Sequence, residues 1–227
     1  MTTPARHPAT GPRRAVVIVA AIAAGFVVVS LLDRAIFFAL RVTSEPGSRA
    51  LEARDWFQLF RQVGYVPTWI LIALSIMLFD GASARRRLRT GGARTPIFEV
   101  CRRGLALLGG AVLAGAAAEL LKLVIGRERP IGPDKEYQGY VFRPLLDGFR
   151  DGSNLGLPSS HAAVAFGAAF VLMRLFPGVW PAALVAASGC ALTRLLAGAH
   201  FASDVYLAAA VAYACSLLAG RVARPAP

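Results

Sequence analysis

Apolar runs recur along this chain, most of them near the length that crosses a bilayer, and polar or proline-broken joints separate them. Six can be delimited, at about 15–32, 66–79, 104–125, 160–176, 182–198 and 203–220. Charged residues make up 17% of the chain and hydrophobic ones 56%, whereas soluble domains usually carry about a quarter charged. The expected fold is therefore all-α: one bundle of six transmembrane helices over 15–220, with cytoplasmic tails at 1–14 and 221–227. Arg13 and Arg14 before the first run would also suit a signal peptide. That run is long for a signal core, however, and no small-x-small site follows it, so an uncleaved helix is expected.

The joints add detail. Residues 41–61 mix acids and bases with Trp56, Phe57, Leu59 and Phe60, the composition of a short amphipathic segment at the membrane surface. Residues 126–157 form a polar loop dense in Gly, Pro, Asp and Tyr. Pro177 and Pro181 bracket a tight break between the fourth and fifth runs. The Gly- and Ala-rich third run, with Gly109, Gly110 and Gly115, suits close helix packing in lipid.

The net charge of +12 could suggest nucleic acid, but the cations sit beside apolar runs, and no basic stripe interleaves with aromatics. Arg85, Arg86, Arg87, Arg89, Arg94, Arg102 and Arg103, against only Asp80 and Glu99, place that joint in the cytoplasm. Arg6, Arg13, Arg14, Arg174, Arg221 and Arg224 agree, leaving the 126–157 loop and the fifth-to-sixth junction outside. Cys101, Cys190 and Cys215 lack the spacing of disulfides or zinc ligands and read as packing residues.

Ionisable residues at membrane depth are expensive and default to function. Lys122 and Arg129 are two helical turns apart and share a face if the helix continues past Gly126; snorkelling cations are the bland alternative. Pro158-Ser159-Ser160-His161 opens the fourth run, where serine caps and free N–H groups make an anion site. Capping would explain the serines but not the histidine. His200 and Asp204, following Thr193 and Arg194, can meet on one helix face, either as an oriented nucleophile or as a buried staple. The chain has three histidines, and only His7 in the tail lies outside these groups. Three cations together suit an anion with several oxygens, such as a phosphoryl group.

In order, spacing and membrane placement, residues 122–204 resemble the type-2 phosphatidic-acid-phosphatase family, whose signature is K-x6-RP, PSGH and SR-x5-H-x3-D. Ser160 stands where that family has Gly, adding a side chain beside the phosphate pocket, and Thr193 stands where it has Ser, keeping a hydroxyl. The resemblance implies an integral-membrane, metal-independent lipid phosphatase with no cofactor. His200 would be the nucleophile, Asp204 its orienting partner and His161 the general acid. Lys122, Arg129, Ser159, Arg194 and the backbone at Ser160 would hold the phosphate. The soluble vanadium haloperoxidases share these motifs, but six apolar runs exclude them.

Glu119, one turn before Lys122, is expected to pair with it. Asp134, Glu136, Asp147 and Asp151 lack metal-ligand spacing. The implied partners are a lipid phosphate and the surrounding membrane lipids, at the outer face of the inner membrane. A transporter, or a non-catalytic lipid-binding relative, is the alternative. The candidate lipids are phosphatidic acid, phosphatidylglycerol phosphate, an isoprenyl diphosphate and a lipid A phosphate.

Overall fold

The computed structural model describes residues 12–42 and 44–222; Arg6, His7 and Arg224, read above as tail residues, lie outside them. Eight helices follow in order among the described residues: α1 (Pro12–Leu40), α2 (Glu45–Glu52), α3 (Asp55–Gln62), α4 (Val66–Arg89), α5 (Ile97–Ile125), α6 (Ser160–Leu175), α7 (Trp180–Leu196) and α8 (Ala202–Val222). Five are long and apolar enough to cross a membrane: α1, α4, α5, α8, and α7 with the 3-10 turn before it. The remaining expected span, the fourth run at 160–176, is α6, which is apolar but has only 16 residues. At 1.5 Å per residue it falls short of the roughly 30 Å hydrocarbon core. It is also the helix wrapped by α5, α7 and α8, so protein rather than lipid surrounds most of it.

Small side chains set this core. Ala106, Ala111, Ala114 and Ala118 of α5 and Ala162, Ala163, Ala165 and Ala168 of α6 are fully buried. Lipid tails are as apolar as leucine, so helices in a membrane gain by close van der Waals approach, which small residues permit. Where α5 crosses α6, a methyl group on Gly110 would come within 2.8 Å of the Gly167 carbonyl oxygen. Large apolar side chains such as Leu31, Leu71, Phe79 and Val185 point outward instead, as a lipid-facing surface requires.

Several boundaries move. The first helix runs on past the charged pair Asp33 and Arg34, because Asp33 is satisfied inside the protein rather than in water. The interfacial segment is two helices, α2 and α3, parted at Ala53 and Arg54. Ser44 caps α2 by accepting from the Gly47 N–H at 3.2 Å. The arginine joint is mostly helical: Arg85 to Arg89 form the last turns of α4, and Arg102 and Arg103 belong to α5. Alanine, arginine and leucine are strong helix formers, and cations at a helix C-terminus favour the dipole, so the helix outlasts its apolar run. Arg103 then pairs with Asp80 across the hairpin at 2.9 Å.

Candidate active site

The site gathers where α5 ends and α6 and α8 begin. Gly126 takes a left-handed conformation (φ 69°) and closes α5, its N–H bonding the Lys122 carbonyl. The helix therefore does not continue, and Lys122 and Arg129 do not share a helix face. Lys122 sits in the last turn of α5, while Arg129 is carried by the extended loop, where its N–H bonds the Asn154 carbonyl at 2.9 Å. The two still lie close enough for their charges to interact. Lys122 Nζ donates to Glu119 Oε1 at 3.0 Å, the pairing expected from their spacing, and to Ser160 Oγ at 2.8 Å.

Ser159 occupies the N-cap of α6 but makes no capping bond, and its buried hydroxyl has no partner. Capping thus does not account for it. Its backbone N–H donates to the Asp204 carbonyl, which ties α6 to the start of α8. His161 lies in the first turn of α6 with Nε2 buried and unpartnered. The ring of Tyr65 stands edge-on at 4.8 Å, and a methyl group on Gly64 would come within 2.9 Å of the His161 Cβ. Arg194, in the last turn of α7, has a buried Nε with no partner. The Thr193 hydroxyl is spent on the Cys190 carbonyl at 2.6 Å.

His200 lies between α7 and α8, so the expected meeting on one helix face becomes a turn leading into α8. The pairing itself is present: Nδ1 lies 3.3 Å from Asp204 Oδ2, which also accepts from the Phe201 N–H at 2.8 Å. Burial, outweighing the opposing pull of Asp204, pushes the His200 imidazole down to about 4, so the ring is neutral near pH 7. With Nδ1–H assigned to the carboxylate by this network, Nε2 keeps its lone pair. His161, Lys122 and Arg194 all lie within electrostatic range of His200.

Four groups were not singled out from sequence. Arg127 is buried and donates from Nη2 to Asp204 Oδ1 at 2.5 Å and to Ser203 Oγ at 2.7 Å. Asp33, 1% exposed, accepts from Ser203 N at 2.8 Å, from the Ser203 hydroxyl and from the Tyr140 hydroxyl at 2.7 Å. Arg61 of α3 has a buried, unpartnered Nε, and its charge reaches His161 and Arg194. The fourth, Arg143, braces the 126–157 loop, bonding Glu128 Oε1 at 2.8 Å and the carbonyls of Asp151 and Ser153 at 2.6 and 2.8 Å. Among the described residues no three His, Cys, Asp or Glu side chains gather as metal ligands. Asp134 and Asp151 instead accept from neighbouring loop N–H groups.

Several known proteins are similar to this chain in sequence. A lipid A 1-phosphatase of Rhizobium etli is 34% identical over 63% of this chain and 60% of its own length. A second, from Rhizobium johnstonii, is 32% identical over 60% of this chain and 54% of its own. A decaprenylphosphoryl-5-phosphoribose phosphatase of Mycolicibacterium smegmatis is 40% identical over 46% of this chain and 51% of its own. The chain thus spans about half to three-fifths of the length of these relatives. No solved structure matches. The profile of the PAP2 superfamily covers residues 103–225, a stretch that holds Lys122, Arg129, Ser159, His161, Arg194, His200 and Asp204, and on that match the chain belongs to the PAP2 superfamily.

Proposed function

We propose that the chain is a membrane phosphatase that removes phosphate from a lipid through a covalent intermediate on His200. One observation carries the reading: Ser159 Oγ, His161 Nε2 and Arg194 Nε are all buried without a hydrogen-bond partner, beside the His200–Asp204 pair. Buried polar groups in native proteins are nearly always satisfied, so a cluster of unsatisfied ones awaits a ligand rich in acceptors. A phosphoryl group supplies those acceptors.

His200 Nε2 attacks phosphorus, and the bond from phosphorus to the lipid oxygen breaks. His161 gives its proton to that oxygen, so the lipid alcohol leaves neutral. Water then attacks the phosphohistidine, losing its proton to His161, and the P–N bond breaks to release inorganic phosphate. Lys122, Arg129 and Arg194, with Ser159 and the N–H groups at the start of α6, hold the phosphoryl oxygens and stabilise their growing charge. Asp204 orients His200 and offsets the positive charge that the ring acquires. The arginines of α4 and α5 support a cytoplasmic position for that end of the bundle, which leaves the site on the outer face.

The relatives' activities put lipid A 1-phosphate first among candidate substrates. Purified protein in detergent, offered lipid A 1-phosphate, phosphatidic acid, phosphatidylglycerol phosphate and an isoprenyl diphosphate, is expected to release phosphate from at least one. Release should survive chelators, stop with vanadate and vanish in His200→Ala. Phosphate release undiminished in His200→Ala would overturn the mechanism, and release from none of the four would overturn the function. A reporter fused after Gly92 should read as cytoplasmic; an extracytoplasmic reading would reverse the assigned face.

A further inference from the structure

Helix α1 lies outside the stretch that matches the family, yet one of its side chains is wired to the His200–Asp204 pair. Asp204 divides its carboxylate, Oδ2 facing His200 Nδ1 and Oδ1 accepting from Arg127. The same Arg127 nitrogen donates to the Ser203 hydroxyl, and that hydroxyl donates to Asp33. Asp33 also takes the Ser203 N–H and the Tyr140 hydroxyl. The Arg127 guanidinium lies between the rings of Tyr140 and Phe201, 5.1 and 5.3 Å from their centroids, which shield it from water.

The row Asp33, Arg127, Asp204 carries one net negative charge. A ring that turns cationic on phosphorylation brings it to zero. A lone Asp204 would hold the ring equally well whichever oxygen faced it, but Arg127 assigns one oxygen and moderates the carboxylate's basicity. A mere staple between helices would be poorly served by this design, because desolvating a buried ion pair costs as much as the pairing returns.

We propose that Arg127 and Asp33 are positioning residues for the hydrolytic reaction, Arg127 fixing and tuning Asp204, and Asp33 anchoring Arg127 through Ser203. The proposal rests on the phosphatase reading above. The charges around His200 and Asp204 come from every packed element: Lys122 of α5, His161 of α6, Arg194 of α7, Arg61 of α3, Asp33 of α1, and Arg127 and Arg129 of the loop. Removing one cation from this set raises the proton affinity of the His200–Asp204 pair.

The test uses the full chain in detergent, with p-nitrophenyl phosphate and phosphatidic acid as substrates. Arg127→Gln should lower kcat roughly 10- to 100-fold, the range for outer partners of a functional histidine, with KM changed less than about 2-fold because ground-state binding is untouched. The acid limb of its kcat/KM profile should move to higher pH, and Arg127→Lys should restore most of the rate. Asp33→Asn should lower kcat in the same sense but less, and should add little to Arg127→Gln, since both act through one contact. An unshifted acid limb in Arg127→Gln, or additive effects of the two changes, would overturn the proposal. If Arg127→Gln does not fold, Asp33→Asn decides: a normal kcat and profile overturn the proposal, and a lowered kcat with the acid limb moved to lower pH, as the loss of an anion requires, supports it. Inactive wild type on both substrates and on lipid A 1-phosphate would sink the phosphatase reading instead, a result distinct from active wild type with normal variants.

Discussion

The ammonium group of Lys122 donates to the hydroxyl of Ser160 across 2.8 Å. This hydroxyl stands where the family signature has glycine, so here a phosphate must compete with a resident acceptor for the lysine. In Ser160→Gly the lysine keeps only Glu119 and is freer to turn toward the ligand. Vanadate should then inhibit about 2- to 10-fold more tightly, the worth of one hydrogen bond. Equal or weaker inhibition would show that Ser160 helps to hold the anion.

The two histidines have separable tasks. His161 protonates the leaving oxygen, so a substrate with a weakly basic leaving group needs it little. On p-nitrophenyl phosphate His161→Ala should lose far less activity than on phosphatidic acid, a difference on the order of 10²-fold. His200→Ala should be inactive on both. Equal losses for His161→Ala on the two substrates would assign it to phosphate binding.

Burial moves the His200 imidazole from 6.5 to about 4, which makes stability depend on pH. Between these values the unfolded chain binds the proton and the folded chain does not. Stability should therefore fall as pH drops from about 6.5 to about 4, by at most about 1.4 kcal/mol per pH unit. Above that window this histidine contributes no slope. Thermal unfolding in detergent across the window should show a shallower dependence for His200→Gln than for wild type. Identical slopes would place His200 in contact with water.

Arg143 organises the loop that carries Arg127 and Arg129. Its hydrogen bond holds the Glu128 carboxyl below the usual carboxylate range, and its guanidinium also takes two backbone carbonyls. Arg143→Met should cost about 1 kcal/mol, the worth of its bond to the partly buried Glu128, and should speed tryptic cleavage at Lys135 and Arg150. Unchanged cleavage would mean that the loop is held by its backbone bridges alone.

Arg61 stands apart from the signature but shares the property that marks the site, a buried nitrogen without a partner. Arg61→Gln should raise KM for the lipid substrate about 10-fold with kcat preserved, the pattern of lost uniform binding. A fall in kcat at constant KM would instead assign Arg61 to the transition state.

Much of the site could be read from sequence because charge inside an apolar run is conspicuous. Lys122, His161, Arg194 and Asp204 each interrupt such a run or open it, His200 sits in the short joint between two of them, and the fold brings the five together. Asp33 stands just past the first apolar run, where nothing local distinguishes a carboxylate leaving the membrane from one satisfied by Ser203 and Tyr140. Arg127 carries no distinguishing signal between Lys122 and Arg129, and its role depends on a left-handed stop at Gly126 that turns the chain back. Arg61 lay in a segment whose mixed charge reads as solvated surface; only the packing of α3 on α7 brings it to the site. The helical extent of the arginine joint was hidden for a related reason, because polarity ends an apolar run without ending a helix.

The crossing of α5 over α6 has a consequence for inherited variation. From Gly110 to Lys122 runs about 18 Å of helix, and Gly167 stands about as far along α6 as its 16 residues allow a midpoint. A bulky side chain at either glycine would act as a wedge at a fulcrum, opening the far ends by more than its own width. Alleles bearing such a change would keep every charged group of the signature and still separate Lys122 from Ser160, so a census that scores only those groups would count them as sound.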